Sequence, residues 1–253
     1  MTGLETTVGR LVLAGARFAP VVALPALTPF AFVPGVIRMS LLLALSLLAV
    51  GIAPAGAPVI GIDQPLGFAV ALLGELAMGM ALALAVLLPG TAVAFSARVV
   101  DIQSGAAAIN IFNPTVRATE SMVGTAMRWT VTMSFFAAGL HLFVLRWVLA
   151  SMRFAPLGSA VWVLSPAAFV DLLGGQFLLG LAVVAPVILG LLGVDTAVAF
   201  ASRSMPQANI YFVALPLKMG ATLLLLAAAL QYAPELIERV FVHAFTVISR
   251  GAQ

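Results

Sequence analysis

The stretch GELAMGMALALAVLLPGTAVAFSARVVDIQSGAAAINIFNPTVRATESM, residues 74–122, decides how this chain is read. From Leu76 to Ala97 it runs 22 residues without a charge, and about 20 apolar residues in a helix cross the ~30 Å hydrocarbon core of a bilayer. Ala77, Ala81 and Ala85 recur every four residues. That spacing puts small side chains on one helix face, where a second backbone can approach closely. Glu75 stands ionisable at the head of this helix. Beyond Ala97 the character changes. Arg98 and Asp101 are three apart, a spacing that allows pairing, and Gln103-Ser104-Gly105 opens a small and polar run that ends at Asn113-Pro114. The last two read as a helix restart, with Asn113 capping and Pro114 at the first helical position. A break between apolar segments is tolerated at membrane depth only inside protein or against a water-filled cavity.

Composition agrees with a membrane setting. The 253 residues are 63% hydrophobic and 8% charged, with a mean hydropathy of +1.18, whereas soluble domains carry about 25% charged residues. The net charge of +3 comes from twelve basic residues scattered singly, which form no stripe for nucleic acid. With no cysteine there is no disulfide framework, thiolate nucleophile or Cys-based metal site. His141 and His243 are about a hundred residues apart without carboxylates at ligand spacing, so neither a metal nor a cofactor is expected. The chain also lacks a nucleophile–base pair, G-x-S-x-G and HExxH, which argues against an enzyme. Glu5 and Arg17 interrupt any leader, and the N-terminal segment reads as a retained first helix.

Taken in order, residues 11 to 37 form an apolar segment punctuated by Pro20, Pro25, Pro29 and Pro34, which kink or break a helix. Met39 to Val50 is a cleaner helix, followed by a Gly/Pro-rich loop and a start at Asp63-Gln64-Pro65. Thr115 to Arg128 is mildly amphipathic, Trp129 to Leu145 is apolar, and Ser165-Pro166 is another cap-and-proline start. Phe177 to Val194 is strongly apolar, and a second polar break, Arg203 to Ile210, separates it from a helix that contains Lys218. Pro234 to Arg250 is amphipathic, with Glu235, Glu238 and Arg239 opposite an apolar face. The expected fold is all-α: a polytopic membrane protein of about six hydrophobic helical segments with Pro/Gly breaks. No domain boundary and no internal repeat are evident, so 1–253 is read as one unit. On a six-span reading the basic residues divide evenly between the two sides, and the positive-inside rule gives no orientation.

Two stretches together resemble the FliR family of flagellar export-gate proteins, whose injectisome counterparts are called SctT. The first is Gly74-Glu75, the long helix, Gln103-x-Gly105 and Asn113-Pro114. The second is Arg203, Met205-Pro206-Gln207-x-Asn209-Ile210 and Pro216-Leu217-Lys218. Arg17-x-x-Pro20 and Gly139-x-His141 also fit. The family often has Asp where Asn113 stands. The resemblance implies helical hairpins assembling with FliP-like and FliQ-like subunits, and with a FlhB-like subunit, in the bacterial inner membrane at the flagellar basal body. Much of such an assembly rises above the membrane plane. It also implies a non-enzymatic gate subunit that lines a channel for unfolded flagellar proteins, with a plug loop at Ile111, Phe112, Asn113, Pro114, Thr115, Val116 and on to Met122.

The polar residues admit two uses each. Glu75 is either a proton-carrying carboxylate or a structural one bonded to a neighbouring subunit. Arg98 and Asp101 form a local pair or take part in gating, and Gln103 and Gly105 belong to the break that follows them. Arg203, Pro206, Gln207, Asn209 and Lys218 contact partner helices or a translocating chain. The rival to the gate is a small secondary transporter with its two breaks as discontinuous-helix sites and Glu75 as coupling carboxylate.

Overall fold

The computed structural model describes residues 3–23, 33–52, 64–106, 122–158, 165–204 and 210–251. Among these residues the protein is all-helical: α1 Gly3–Ala23, α2 Gly35–Ile52, α3 Pro65–Ser104, α4 Met122–Ala137, α5 Leu140–Phe154, α6 Pro166–Ser204, α7 Ile210–Ala229 and α8 Ala233–Gly251. Four of them (α2, α3, α6 and α7) are long and apolar enough to cross a membrane, and a fifth span results if α4 and α5 are taken together. About six segments were expected. The four or five spans are roughly consistent with that count; α1, which carries Glu5, Arg10 and Arg17, is not among them.

Helix boundaries follow local chemistry. Gln64 precedes Pro65, and its carbonyl accepts from the Phe68 amide at 2.9 Å, so α3 starts with proline where no amide donor is needed. Ser165 does the same for α6: its hydroxyl accepts from the Ala168 amide at 3.2 Å, and its carbonyl from Phe169. Pro34 precedes α2, and its carbonyl accepts from Ile37 and Arg38. The segment expected at 11–37 is therefore divided: α1 begins earlier, at Gly3, and runs through Pro20, while Gly35 onward belongs to α2.

The apolar run from Trp129 to Leu145 is likewise divided, by Gly139 with φ 68°, where α4 ends and α5 begins. By contrast, α3 is a single helix of 40 residues through Pro89 and past Arg98, and stops only at Gly105, whose φ of 79° is the left-handed stop glycine permits.

The helices sort into two packing units, each described separately. Unit 1 comprises residues 1–88, 139–173 and 243–253. In it α1 lies along α2, with Gly15 facing the Ser46 hydroxyl, and crosses α3 where Gly79 meets the Arg17 backbone. Phe245 of α8 packs its ring against Phe143 and Trp147 of α5, at centroid distances of 5.0 and 5.1 Å. Unit 2 comprises residues 89–138 and 174–242. Here Gly180 of α6 abuts the backbone of Ala92 on α3, Gly190 abuts Leu225 of α7, and Phe135 of α4 packs on Phe241 of α8 at 5.1 Å.

Two of these glycines are close-approach points between backbones. A Cβ on Gly79 would fall on the carbonyl of Arg17, and one on Gly180 would sit 2.9 Å from the carbonyl of Ala92. Neither neighbour is a flexible side chain, so the helices themselves must separate. Gly79→Ala and Gly180→Ala should each cost about 1–3 kcal/mol, the range for overpacking a tight interior. Gly193→Ala, which meets nothing within 4 Å, should be neutral or gain up to about 1 kcal/mol of helix propensity. Thermal aggregation of the chain solubilised from native membranes distinguishes the two outcomes.

Candidate functional site

The most enclosed polar cluster lies in unit 1, and Arg17 and Glu75 are its centre. Both side chains are fully buried. Arg17 lies six residues before the end of α1, which runs through Pro20, and Glu75 lies ten residues into α3, one turn before the Gly79 crossing. That crossing brings the two helices near enough for a two-pronged contact. Arg17 Nε donates to Glu75 Oε2, and Nη2 donates to Oε1 at 2.9 Å. The planar guanidinium matches the carboxylate edge to edge, the strongest form of this pairing.

A third element closes the cluster. Arg17 Nη1 donates to the carbonyl of Ala155 at 2.8 Å and reaches that of Ser151 at 3.4 Å. These carbonyls belong to the C-terminal end of α5, where a cation supplies a donor to Ala155 and complements the negative end of the helix, while the Ser151 carbonyl also accepts from the Ala155 amide. Glu75 Oε1 also accepts from the amide of Gly158 at 2.8 Å. Gly158 holds φ at 84°, a conformation that favours glycine. One buried ion pair therefore ties α1, α3 and the chain that follows α5 together.

Chemically, this arrangement is closed. Glu75 receives three donors, and Arg17 has a donor on each of its three nitrogens in use. A buried charge pair gains little over an apolar pair of the same shape, but removing one partner leaves the other uncompensated.

Unit 2 holds the other polar residues singled out in the sequence. Lys218 of α7 pairs with Asp195 of α6, both partly exposed. The Gln103 amide donates to the carbonyl of Ile188 at 3.2 Å, and Gln176 donates to that of Val240 at 2.9 Å. Beside the Asp195–Lys218 pair a cavity of about 280 Å³ is lined by Ser104, Gly105, Val198, Ser202 and Leu215 among others. Arg98 is exposed and Asp101 is 4% exposed, so the two charges sit in different surroundings. Arg203 is exposed at the end of α6. Pro206, Gln207, Asn209 and the segment Ile111, Phe112, Asn113, Pro114, Thr115 and Val116 lie outside the described residues, and Met122 opens α4.

Three contributors escaped the sequence reading as site residues: Arg17, Asp195 and Gln176. A signal was present for two of them. A charge alone in an apolar helix needs a counter-charge, and Arg17 and Asp195 are such charges, as Glu75 and Lys218 are. Nothing local indicated that the pairs would be these.

Residues 8–244, nearly the whole chain, match the family described as bacterial export proteins, family 1. The chain belongs to this family. Its relatives include the flagellar biosynthetic protein FliR of Aquifex aeolicus (strain VF5), 26% identical over 202 residues, which covers 78% of this chain and 76% of that one. FliR of Bacillus subtilis (strain 168) is 22% identical over 171 residues, 66% of each chain. The Yop proteins translocation protein T of Yersinia pestis is 28% identical over 164 residues, 60% of this chain and 59% of that one. This bacterial export protein is thus similar both to flagellar proteins and to a translocation protein of another system, as the Gln103-x-Gly105 and Pro206-Gln207-x-Asn209 signatures led one to expect.

The cluster makes a quantitative demand on the export protein. Arg17→Met should destabilise it by about 3–5 kcal/mol, because Glu75 is left buried without a counter-charge. Glu75→Gln keeps an acceptor but strands the guanidinium, and should also be costly. The double variant Arg17→Met/Glu75→Leu should lose less than Arg17→Met alone. A double-mutant cycle on thermal aggregation measures this, and additive losses would contradict the paired reading.

Proposed function

We propose that this chain is a non-enzymatic subunit of a bacterial protein-export gate, in the flagellar system by its closer coverage of FliR relatives. It contributes helical hairpins to an inner-membrane channel for unfolded export substrates and packs there against further membrane subunits, FliP-like, FliQ-like and FlhB-like. The segment from Ile111 to Met122 is the part that closes the channel.

The observation that carries this reading is a length. Large apolar side chains are exposed on α3 from Leu66 to Met80 and again at Phe95 and Ile102, and on α6 from Phe169 to Phe200. At 1.5 Å per residue these faces extend about 54 and 46 Å. The hydrocarbon core is ~30 Å thick, and even a helix tilted by 40° has only about 39 Å of its length inside it. Lipid therefore leaves a surplus of roughly 7–15 Å on each helix, and apolar surface of that extent marks contact with other protein. A subunit embedded among partner helices accounts for it.

The transporter alternative finds less support. Its coupling carboxylate would be Glu75, and Glu75 accepts from Arg17 and from the Gly158 amide in a closed cluster.

Two measurements test the proposal. Purification of the tagged protein in mild detergent should return it in a complex with several other membrane chains, with a native mass well above 26.1 kDa. A stable, cooperatively melting monomer would contradict the gate. A deletion within 112–120 should leave that complex assembled but make cells leak small dyes; an assembled complex as tight as wild type would overturn the closing role of that segment.

A further inference from the structure

An octapeptide occurs twice in the chain with different fates. Thr91-Ala92-Val93-Ala94-Phe95-Ser96-Ala97-Arg98 lies on α3, and Thr196-Ala197-Val198-Ala199-Phe200-Ala201-Ser202-Arg203 lies on α6. Six of the eight residues are identical, and the other two exchange Ser and Ala. The absence of a repeat expected at first reading thus has one local exception.

The first copy is occupied within unit 2. Ala92 is 2% exposed and lies against Gly180, close enough that a Cβ there would meet the Ala92 carbonyl at 2.9 Å. Phe95 meets Phe177 edge to face, with ring centroids 5.4 Å apart and an interplanar angle of 86°. The two contacts run in opposite senses, since 92 pairs with 180 and 95 with 177. The first copy therefore receives an antiparallel helix through an aromatic-x-x-Gly motif: glycine lets the backbones close, and the aromatic ring locks the register.

The second copy shows no such contact among the described residues, and its alanine rather than its ring marks the difference, since Phe95 is itself 56% exposed. Ala197 is exposed, and Phe200 is 64% exposed. Their face continues a ridge of exposed apolar residues, Leu189 at 66% and Leu192 at 55%, past Gly193, which has nothing within 4 Å. The opposite side of the same helix turn is already used: Asp195 pairs with Lys218, and Val198 and Ser202 line the cavity against α7. The outer face is thus continuous with a formed helix–helix interface on the same turns of α6.

We propose that Ala197 and Phe200 form a docking face for an antiparallel apolar helix of another protein chain, carrying an aromatic residue three positions before a glycine. The inference rests on the export-assembly reading and names the partner's chemistry. A second copy of this chain offers no free helical copy of the motif: Phe177 and Gly180 are taken up by Ala92 and Phe95, Phe136-x-x-Gly139 leaves α4 for a left-handed glycine, and Gly35 of Phe32-x-x-Gly35 only begins α2. Partner Gly meets Ala197 and the partner ring meets Phe200, in the register seen between α3 and α6.

The test is photo-crosslinking in native membranes, with a benzophenone side chain placed at position 200 and, separately, at position 197. The expected adducts fall on one helix of another chain, and the adduct from 200 maps three residues N-terminal to that from 197, beside an aromatic-x-x-Gly sequence. Ala197→Leu should lower recovery of that chain with the tagged protein about tenfold, the scale of an overpacked helix contact, while Ala197→Gly leaves it unchanged. Adducts with lipid alone, on a helix lacking the motif, or in the parallel order would overturn the proposal. If the other chains co-purify undiminished with Ala197→Leu, the docking face is wrong and the export-gate reading stands. If no other chain co-purifies with the unaltered protein, both are wrong.

Discussion

A bilayer offers a fixed thickness of hydrocarbon, and this chain has apolar helix surface that outruns it. The helices α3 and α6, of 40 and 39 residues, are about 60 Å long at 1.5 Å per residue. Large apolar side chains are exposed near both ends of each, on α3 from Leu66 to Met80 and again at Phe95 and Ile102, and on α6 from Phe169 to Phe200. Small residues set at the contact points let such helices pack closely, as at Gly79 and Gly180, where backbone lies directly on backbone. The same feature makes the isolated chain incomplete: what lipid does not cover must be covered by protein. Membership in a family of export proteins gives that demand a setting, and the proposed gate of several membrane subunits would meet it.

The polar groups serve this design by being spent internally. Arg17 and Glu75 neutralise each other while also satisfying the end of α5 and the Gly158 amide. Gln103 and Gln176 each donate to a carbonyl on another helix. Such bonds fix which helices meet and in what register, because every alternative leaves a buried polar group unpaired. The outward face carries few charges, among them Arg98, Asp171 and Arg203 on the long helices and, on α8, Glu235 and Arg239, an exposed pair one turn apart. On the proposed reading, recognition of other helices falls to shape and to side chains such as Phe200.

Much of this was legible in the sequence. Hydropathy gave the all-helical membrane class, and Gln64-Pro65 and Ser165-Pro166 marked the starts of both long helices, since proline at the first position and a capping group before it act locally. Less legible was where helices stop. The break read from Gln103 onward begins close to where α3 stops, at Ser104 before the left-handed Gly105, but nothing local showed that Asp101 and Ser104 would be buried or that Gln103 would find the Ile188 carbonyl. Tertiary contacts of this kind carry no local signature. Conversely, the apolar run from Trp129 to Leu145 concealed the stop at Gly139, which a positive φ imposes. The charge partners were invisible for a related reason: Arg17 and Glu75 are 58 residues apart, and only the crossing at Gly79 makes them neighbours.

The central claim, that protein rather than lipid covers part of the long apolar faces, is open to direct measurement. The chain contains no cysteine, so single cysteines can be placed at each exposed apolar position of α6 from Phe169 to Phe200. Labelling by a thiol-reactive probe carried on lipid acyl chains, in native membranes, then maps lipid contact along the helix. The account predicts a labelled run no longer than about 39 Å, the most that a helix tilted by 40° places in hydrocarbon, with exposed apolar positions beyond it shielded. Labelling by lipid along the whole face from 169 to 200 would contradict it.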